Sequence, residues 1–364
     1  MKIGILGTRG IPNAYGGFEQ FAQYLAEGLV QRGHEVSVYN SDQHPYKEKI
    51  WKCVQIVHCK DWEQKIGTAG QFIYDLNCLK DARKRNFDIL LQLGYTSSSI
   101  WYRQWPKTIN MVNMDGLEWK RSKYNWVTRK FLRFAEKLAA KHADYLVADS
   151  PGIQSYLLKT YGKNSVYIPY GAEIPSSFDE TITTGFGLRP YEYYLLVARM
   201  EPENNVETII KGYLQSGSGF PLVIIGNAGN SFGKYLVSEY RNQNLLFKGA
   251  LYDNKALNAL RHYSLIYFHG HSVGGTNPSL LEAMASQCSI IAHDNNFNKA
   301  ILGTDARYFL VANDILSLIQ AEECLKEREK LVRNNLDKIY RIYNWDKVIN
   351  QYEELFENIL KGDC

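Results

Sequence analysis

The sequence lacks the features that define several common classes of protein. Its six cysteines include no C-x-x-C pair, so neither a zinc knuckle nor a disulfide framework is predicted. No apolar run approaches the ~18 residues of a membrane-spanning helix, and the first apolar stretch meets Arg9 too early for a signal peptide. The 42 Lys and Arg against 38 Asp and Glu leave a net charge of only +4. We therefore expect a cytoplasmic protein with reduced thiols that does not bind nucleic acid.

Motifs for common cofactors are missing as well. The glycine-containing loop at residues 7–17 has no Gly-Lys-Ser/Thr ending and no G-x-G-x-x-G, which argues against a P-loop NTPase and against NAD binding. The second predicted strand ends in Asn40, where a dinucleotide-binding fold usually has an acid for the ribose. No D-x-D sequence occurs anywhere in the chain. We expect neither a cofactor nor a metal ion.

The chain does contain a regular alternation of short apolar runs and segments with helical period, which is typical of an α/β fold with parallel sheets. A length of 364 residues predicts two domains or a little more. Residues 171–190 have no apolar period and indicate a connector, so we place one domain at residues 1–174 and the other at 175–345. The final helix, residues 346–364, has no strand after it and is expected to pack back on the first domain.

Ligands of open α/β sheets bind beyond the carboxyl ends of the strands, so the loops that follow predicted strands carry the candidate sites. In the first loop, Arg9 and Tyr15 suggest contact with a substrate, although an ordinary strand-to-helix turn explains the glycines equally well. Asp115 follows another strand at the same edge of the sheet. A plain Asp-Gly turn is the alternative for that residue.

The richest segment, residues 269–285, runs from a strand through a glycine loop into a helix. Asn277 suits the N-cap and Pro278 the first helical position, so the helix is predicted to begin there with N–H groups open to an anion. Glu282 flanks the buried stripe of this helix and is placed to accept hydrogen bonds from ribose hydroxyls. A solvated glutamate is the alternative.

The same segment contains Gly270-His271-Ser272-Val273-Gly274, the G-x-S-x-G of a hydrolase elbow. An elbow requires its helix immediately after Ser272, whereas the helix signal comes six residues later, at Pro278. An esterase is therefore a distant alternative to a site that binds an anion and a ribose. A protein that binds a sugar without transforming it is a further alternative.

Arg199 follows the first strand of the second domain and points to phosphate chemistry. A guanidinium at that edge could hold a diphosphate bidentately and offset the charge on a departing phosphate. The alternative is a structural arginine paired with Glu201 or Glu203.

Residues 118–141 concentrate positive charge, since eight basic residues against two acids give a local charge of +6. Trp, Tyr and Phe residues are interleaved with these charges, which favours contact with an anionic membrane surface or a lipid-linked phosphate. A solvated helix face is the alternative.

In their order and spacing, these motifs resemble the family 4 glycosyltransferases of the GT-B architecture, in which two Rossmann-like domains face each other across a cleft. The resemblance covers nearly the whole chain and extends to the bacterial β1-4-rhamnosyltransferase subgroup of polysaccharide biosynthesis. It is carried by Gly16-Gly17, Gly33-His34-Glu35-Val36, the stretch from Asp115 to Arg121, Arg199 with residues 202–205, and residues 274–284.

The resemblance implies that the first domain binds the acceptor and the second domain binds a nucleotide sugar. It implies dTDP-L-rhamnose as donor, retention of configuration, no metal ion, and a glycan or lipid-linked acceptor. From the basic residues 118–141 we expect a cytoplasmic enzyme that contacts the inner face of the cell membrane. A UDP- or GDP-sugar donor is the alternative.

The resemblance also implies roles for individual residues. Glu282, as the second glutamate of an E-x7-E motif, would hold the ribose, and Arg199 the diphosphate. Gly274 stands where the first glutamate is expected, and Asn204 where a lysine is usual. The predicted catalytic residues are Asp115 and Arg199, with Tyr15 and Glu19 on the acceptor side. The predicted donor-binding residues are Arg9, Gly16, Gly17, Asn204, Gly274, Gly275, Thr276, Asn277, Pro278 and Glu282.

Overall fold

The computed structural model describes residues 1–14, 16–114, 116–121, 124–241, 244–321 and 325–362, and for Leu325 the backbone only. The chain divides into two units. Unit 1 comprises Met1–Lys120, Tyr124–Tyr170 and Trp345–Cys364, and unit 2 comprises Arg121–Lys123 and Gly171–Asn344. Within the described ranges, no helix combines the length and the apolar character needed to cross a lipid bilayer.

Unit 1 alternates strands and helices, as the pattern of apolar runs predicts. Strands of a parallel sheet are covered by helices on both faces, so they read as continuous apolar segments. Its strands are β1 (Lys2–Leu6), β2 (Glu35–Ser41), β3 (Ile50–Trp51), β4 (Val54–Cys59), β5 (Ile89–Leu93), β6 (Ile109–Asn113), β7 (Tyr145–Ala148) and β8 (Val166–Tyr167). Its helices are α1 (Gly17–Gln31), α2 (Glu63–Ile66), α3 (Ala69–Ala82), α4 (Trp126–His142), α5 (Pro151–Tyr161) and the last helix of the chain, Trp345–Lys361.

The sheet of unit 1 has the strand order β3-β4-β2-β1-β5-β6-β7-β8. Among the described strands of this sheet, the short β3 alone pairs antiparallel with its neighbour, β4. From β1 the chain first builds the sheet outward through β2 and β4, then returns to place β5 on the other side of β1. The gap between β1 and β5 is the topological switch point of unit 1, the place where such sheets bind ligands.

Unit 2 follows the same plan with fewer strands. Its strands are β9 (Tyr194–Val197), β10 (Leu222–Ile225), β11 (Leu245–Gly249), β12 (Ile266–His269), β13 (Ile290–His293) and β14 (Arg307–Phe309). Its helices are α6 (Glu180–Gly185), α7 (Val206–Ser216), α8 (Ser231–Glu239), α9 (Asn254–His262), α10 (Pro278–Ala285), α11 (Asn296–Leu302), α12 (Ala312–Gln320) and α13 (Leu325–Arg341). The last helix of the chain, Trp345–Lys361, is therefore α14.

The parallel sheet of unit 2 has the strand order β11-β10-β9-β12-β13-β14. Its switch point lies between β9 and β12, because the chain extends first through β10 and β11 and then returns to the other side of β9. The core lies between this sheet and its helices and includes Leu196, Ile209, Ile224 and Phe268, all fully buried.

The chain leaves unit 1 after Tyr170 and re-enters it at Trp345, so α14 belongs to unit 1. This helix packs on α1. Tyr24 and Trp345 stack with ring centroids 4.6 Å apart. Gly28 leaves the room that Ile349 occupies, since a β-carbon at residue 28 would overlap the isoleucine side chain.

Candidate functional site

The switch point of unit 2 brings together two turns, one after β9 and one after β12. Asn204 donates from Nδ2 to the carbonyl of Arg199 (2.8 Å), which closes the first turn. Asn205 adopts a left-handed backbone conformation (φ 50°) and donates from Nδ2 to the carbonyl of Gly270 (2.8 Å). A β-carbon on Gly270 would overlap the backbone of Asn204, so the close approach of the two turns requires glycine there.

Ser272 belongs to this same connection between the turns. Its backbone N–H and its hydroxyl both donate to the carbonyl of Glu203, at 3.0 and 2.7 Å. The structure has no helix directly after Ser272, because α10 begins at Pro278. This residue therefore holds a loop and does not stand on the sharp strand-to-helix turn that a hydrolase elbow needs.

Arg199 supplies a positive charge at this edge. Its side chain is exposed and makes no hydrogen bond or ion pair with any residue that the structure describes. The predicted alternative, an ion pair with Glu201 or Glu203, is not formed. An unpaired guanidinium beside the ends of two parallel strands can bind an anionic group bidentately.

Two histidines lie next to this arginine. The Nδ1–H of His271 donates to the Oδ1 of Asn204 (2.8 Å). Burial lowers the pKa of His271 to about 4, and the charge of Arg199 acts in the same direction. Burial also lowers the pKa of His269 far below its usual range. Both imidazoles are thus neutral at pH 7, and the positive charge near His271 comes from Arg121 and Arg199.

The glycine loop leads from His271 into α10. Gly274 has a φ of 129°, a conformation that side chains disfavour, and a β-carbon there would lie 3.1 Å from Nε2 of His271. The helix then begins as predicted, with Pro278 in its first turn and the Oδ1 of Asn277 accepting from the N–H of Ser279 (2.9 Å). Gly275 and Thr276 are buried between these two points.

Two asparagines bind the backbone of the glycine loop at its first residues. Asn295 and Asn298 both donate from Nδ2 to the carbonyl of His271, each at 3.0 Å. They stand at the N-terminus of α11, which follows β13. Residues that follow β9 and β13 therefore hold the backbone of the loop that follows β12 in a fixed conformation.

Glu282 lies one turn into α10 and is partly exposed. Its Oε2 accepts a hydrogen bond from Arg261 of α9 at 2.7 Å, and the same guanidinium nitrogen donates to Ser279 at 3.1 Å. Only 2% of the Arg261 side chain is exposed, against 23% for Glu282. A carboxylate offers about four acceptor positions, so the hydrogen bond from Arg261 orients Glu282 without using all of them.

The switch point of unit 1 gathers the predicted residues of the first loop. The guanidinium of Arg9 forms a bidentate pair with Glu63, at 2.7 Å from NH2 to Oε1 and 3.1 Å from Nε to Oε2. The backbone N–H of Arg9 donates to the buried carboxylate of Glu19 at 2.8 Å. Gly16 caps α1 beside that carboxylate, and Gly17 is the first residue of the helix. Glu19 therefore supports the loop, and Arg9 already has an anionic partner.

Asn40 has a comparable supporting role. Its Oδ1 accepts from the N–H of Ile11 (3.0 Å), and its Nδ2 donates to the carbonyl of the same residue (2.7 Å). A side chain on Gly10 would overlap this amide. The residue that replaces the ribose-binding acid of dinucleotide folds thus holds the first loop in place.

The described part of the basic segment contains a short 3-10 helix, Glu118–Lys120, and most of α4. Its acid Glu136 is buried and accepts hydrogen bonds from the hydroxyls of Tyr95, Tyr156 and Tyr161. The exposed face carries apolar and basic side chains together. These are Trp126, Val127, Arg129, Lys130, Arg133, Phe134, Lys137 and Lys141.

Two predicted site residues, Tyr15 and Asp115, lie outside the described residues. Among the residues that are described, no group of three or more His, Cys, Asp or Glu side chains is arranged to hold a metal ion.

Comparison with known families assigns each part of the chain. Residues 187–338 match the family model described as glycosyl transferases group 1. This segment is a group 1 glycosyltransferase domain. Residues 1–173 match a second model, described as a domain of unknown function, DUF1972. The group 1 glycosyltransferase domain contains Arg199, Asn204, the glycine loop and Glu282.

A curated relative of the chain is an uncharacterized glycosyltransferase of Methanocaldococcus jannaschii. It is 28% identical in an alignment of 245 positions, and the alignment covers 62% of this chain and 61% of the relative. The chain thus aligns with less than two thirds of that protein.

Two solved structures resemble the whole chain. The sucrose-phosphate synthase of Thermosynechococcus elongatus aligns with a TM-score of 0.83 at 16% identity, covering 99% of each chain. HepE of Anabaena, in complex with UDP and glucose, aligns with a TM-score of 0.73 at 14% identity, covering 98% of this chain and all of that one. Unit 1 and the group 1 glycosyltransferase domain of unit 2 are accordingly the two Rossmann-like parts of a GT-B fold, as predicted.

Several residues of the site escape prediction from the sequence. Arg261 carries a weak signal, because it follows Leu257 at a spacing of four on the apolar face of α9. Glu63 and Asn298 carry none, since their partners Arg9 and His271 are 54 and 27 residues away.

Proposed function

We propose that the protein is a glycosyltransferase that moves a sugar from a nucleoside diphosphate to a hydroxyl group of a glycan acceptor. The observation that carries this proposal is the exposed Arg199 guanidinium, without an acidic partner among the described residues, beside the preformed loop that leads into α10. A diphosphate can pair with the guanidinium and accept hydrogen bonds from the first turn of the helix.

The same groups favour bond cleavage, because negative charge develops on the diphosphate as the sugar leaves. A fixed cation and a helix N-terminus stabilise that charge without reorganisation. Neutral His271 and His269 add no competing cation. Since the positive charge comes from the protein itself, we propose that transfer does not depend on a metal ion.

Glu282 is our candidate for the ribose. Its carboxylate is held by Arg261 and remains partly exposed, so it can accept from a ribose hydroxyl. Following the resemblance, we propose dTDP-L-rhamnose as donor and retention at the anomeric carbon. A UDP- or GDP-sugar is the alternative, and UDP and glucose are present in the HepE complex of the same fold.

On the acceptor side, Asp115 is our candidate for orienting or deprotonating the acceptor hydroxyl, and Tyr15 is a second candidate for the same role. The exposed face of α4 supports a lipid-linked acceptor and contact with the inner face of the membrane, because Trp126 and Phe134 are 67% and 54% exposed among basic side chains.

The test is a melting-temperature panel with dTDP, UDP, GDP and ADP on the full chain, followed by the matching sugar nucleotides with product analysis by NMR. We expect one diphosphate to raise the melting temperature and its sugar nucleotide to be consumed. Retention is shown if the anomeric configuration of the transferred sugar is the same in the product as in the donor. If no diphosphate stabilises the chain, the proposed function is wrong.

Vesicle sedimentation tests the membrane contact separately. We expect the chain to pellet with anionic vesicles and to remain in solution with neutral ones, since each basic side chain near the surface adds about 1 kcal/mol. Exchanging Lys130 and Lys137 for Gln should reduce pelleting, whereas the same change at Lys326 and Lys330 of α13 serves as control. Equal pelleting with both kinds of vesicle contradicts this contact.

A further inference from the structure

A small cavity opens at the switch point of unit 1, outside every residue predicted from the sequence to bind a ligand. Its volume of about 30 Å³ is enough for a water molecule or one hydroxyl group. It is bounded by the turn after β1, by the end of β5 with the loop that follows, and by α3. The residues that matter are Gly7, Gly94, Thr96, Ser97, Gln71 and Asp75.

The wall of the cavity contains a buried carboxyl group. Asp75 is only 3% exposed, and the hydroxyl of Ser97, 4% exposed, donates to its Oδ2. Burial raises the pKa of Asp75 to about 7, although the hydrogen bond from Ser97 and the charge of Arg9 oppose the change. Near neutral pH this group can therefore either donate or accept a hydrogen bond, which suits a partner that does both.

The charges nearby disfavour an anionic ligand. Asp61 raises the pKa of Asp75 through its own negative charge, and Glu63 occupies the guanidinium of Arg9 bidentately. A phosphate or carboxylate in the cavity would meet these acids in a poorly solvated place. A hydroxyl group meets no such cost.

Gln92 adds a second polar group on the same side of the sheet. It pairs in register with Leu6, which packs against Tyr74 and Cys78 of α3, so its side chain also faces α3. Gln92 is fully buried, and neither atom of its amide has a hydrogen-bond partner among the described residues. Buried amides are normally satisfied, by water or ligand if not by protein.

We propose that this cavity binds a hydroxyl group of an uncharged sugar, with Asp75 and Ser97 as its hydrogen-bonding partners. The position agrees with the rule that ligands of open α/β sheets enter at the switch point. The assignment of that sugar as the acceptor rests on the proposed function, whereas the preference for an uncharged hydroxyl group does not.

Saturation-transfer NMR on the full chain tests the proposal with the methyl glycosides of L-rhamnose, D-glucose and N-acetyl-D-glucosamine, and with glucose 6-phosphate as the anionic probe. We expect transfer to at least one methyl glycoside and weaker transfer to the phosphate. The variants Asp75→Asn and Ser97→Ala should each weaken binding of that glycoside about fivefold, the effect of one neutral hydrogen bond.

The matched control is Ser99→Ala. Ser99 is buried two residues further along and donates to the carbonyl of Ala135 at 2.8 Å, away from the cavity. Equal transfer in the wild type and in both cavity variants, or no transfer to any methyl glycoside, overturns the proposal. The melting shift with nucleoside diphosphates is measured on the same samples, so a failure here is separable from a failure of the proposed function and from loss of folding.

Discussion

The switch points of the two units have the same topology and opposite electrostatics. In unit 2 the arginine at the sheet edge, Arg199, has no partner among the described residues and the neighbouring histidines are neutral. In unit 1 the corresponding edge carries Arg9 in a bidentate pair with Glu63 and a buried acid, Asp75. The same sheet topology can thus suit a diphosphate or a hydroxyl group, depending on a few side chains on the loops at the switch point.

The largest effect that would sharpen this comparison concerns stability against pH. The raised pKa of Asp75 means that the folded chain holds a proton that the unfolded chain releases above its ordinary pKa of 3.8, so stability falls as pH rises from about 4 to about 7. The total is about 4 kcal/mol, from about three units of pKa at 1.4 kcal/mol each. About 3 kcal/mol of this loss falls between pH 5 and pH 8, and Asp75→Asn should remove it, measured as the difference in urea-unfolding free energy at those two pH values. If the unfolding free energies of the wild type and the variant change in the same way with pH, the Asp75 carboxyl has no raised pKa, and the proposed difference between the two switch points is wrong for unit 1.

On the unit 2 side, Arg199→Ala should lower kcat about 100-fold to 1,000-fold, the range for a group that stabilises developing charge. The unfolding free energy should change little, because the guanidinium is exposed and unpaired among the described residues. Arg189→Ala is the matched control, since Arg189 is 83% exposed and pairs only loosely with Glu192 at 3.7 Å. Normal turnover in the Arg199 variant would remove it from the mechanism.

A third effect tests the buried pair of unit 2. Arg261→Ala removes the buried guanidinium that pairs with Glu282 and should cost about 3 kcal/mol of unfolding free energy. Arg341→Ala removes an exposed pair with Asp337 on α13 and should cost less than about 1 kcal/mol. The milder Arg261→Lys should also raise KM for the sugar nucleotide, because an ammonium orients the carboxylate less well. An unchanged KM would assign Arg261 a purely structural role.

The smallest effect concerns Ser272. Replacing it by Ala removes one hydrogen bond to the carbonyl of Glu203 and should cost about 1 kcal/mol of unfolding free energy, with sugar transfer retained. Hydrolysis of an acyl ester that disappears in this variant would instead support the esterase.

Local signals in the sequence predicted local structure well. The start of α10 at Asn277 and Pro278 depends on neighbouring residues alone, and the structure confirms it. The short helix α6 within the predicted connector was not predicted, since its six residues are too few to show a period.

Long-range pairs could not be predicted. Asp75 stands where the apolar stripe of α3 continues, four residues before Leu79, yet nothing local identifies Ser97 as its partner. The roles predicted for Arg199, Asn204, Gly274 and Glu282 remain predictions, because each requires a ligand.

The return of α14 to unit 1 sets the order in which the protein can be completed on the ribosome. The surface of α1 around Tyr24 and Gly28 stays uncovered until residues 345–361 have emerged, by which time all of unit 2 has been synthesised. All of unit 2 is therefore synthesised while unit 1 still lacks α14. An expression fragment that stops at Tyr170 would expose an aromatic face to solvent, and one that adds Trp345–Lys361 through a short linker would cover it.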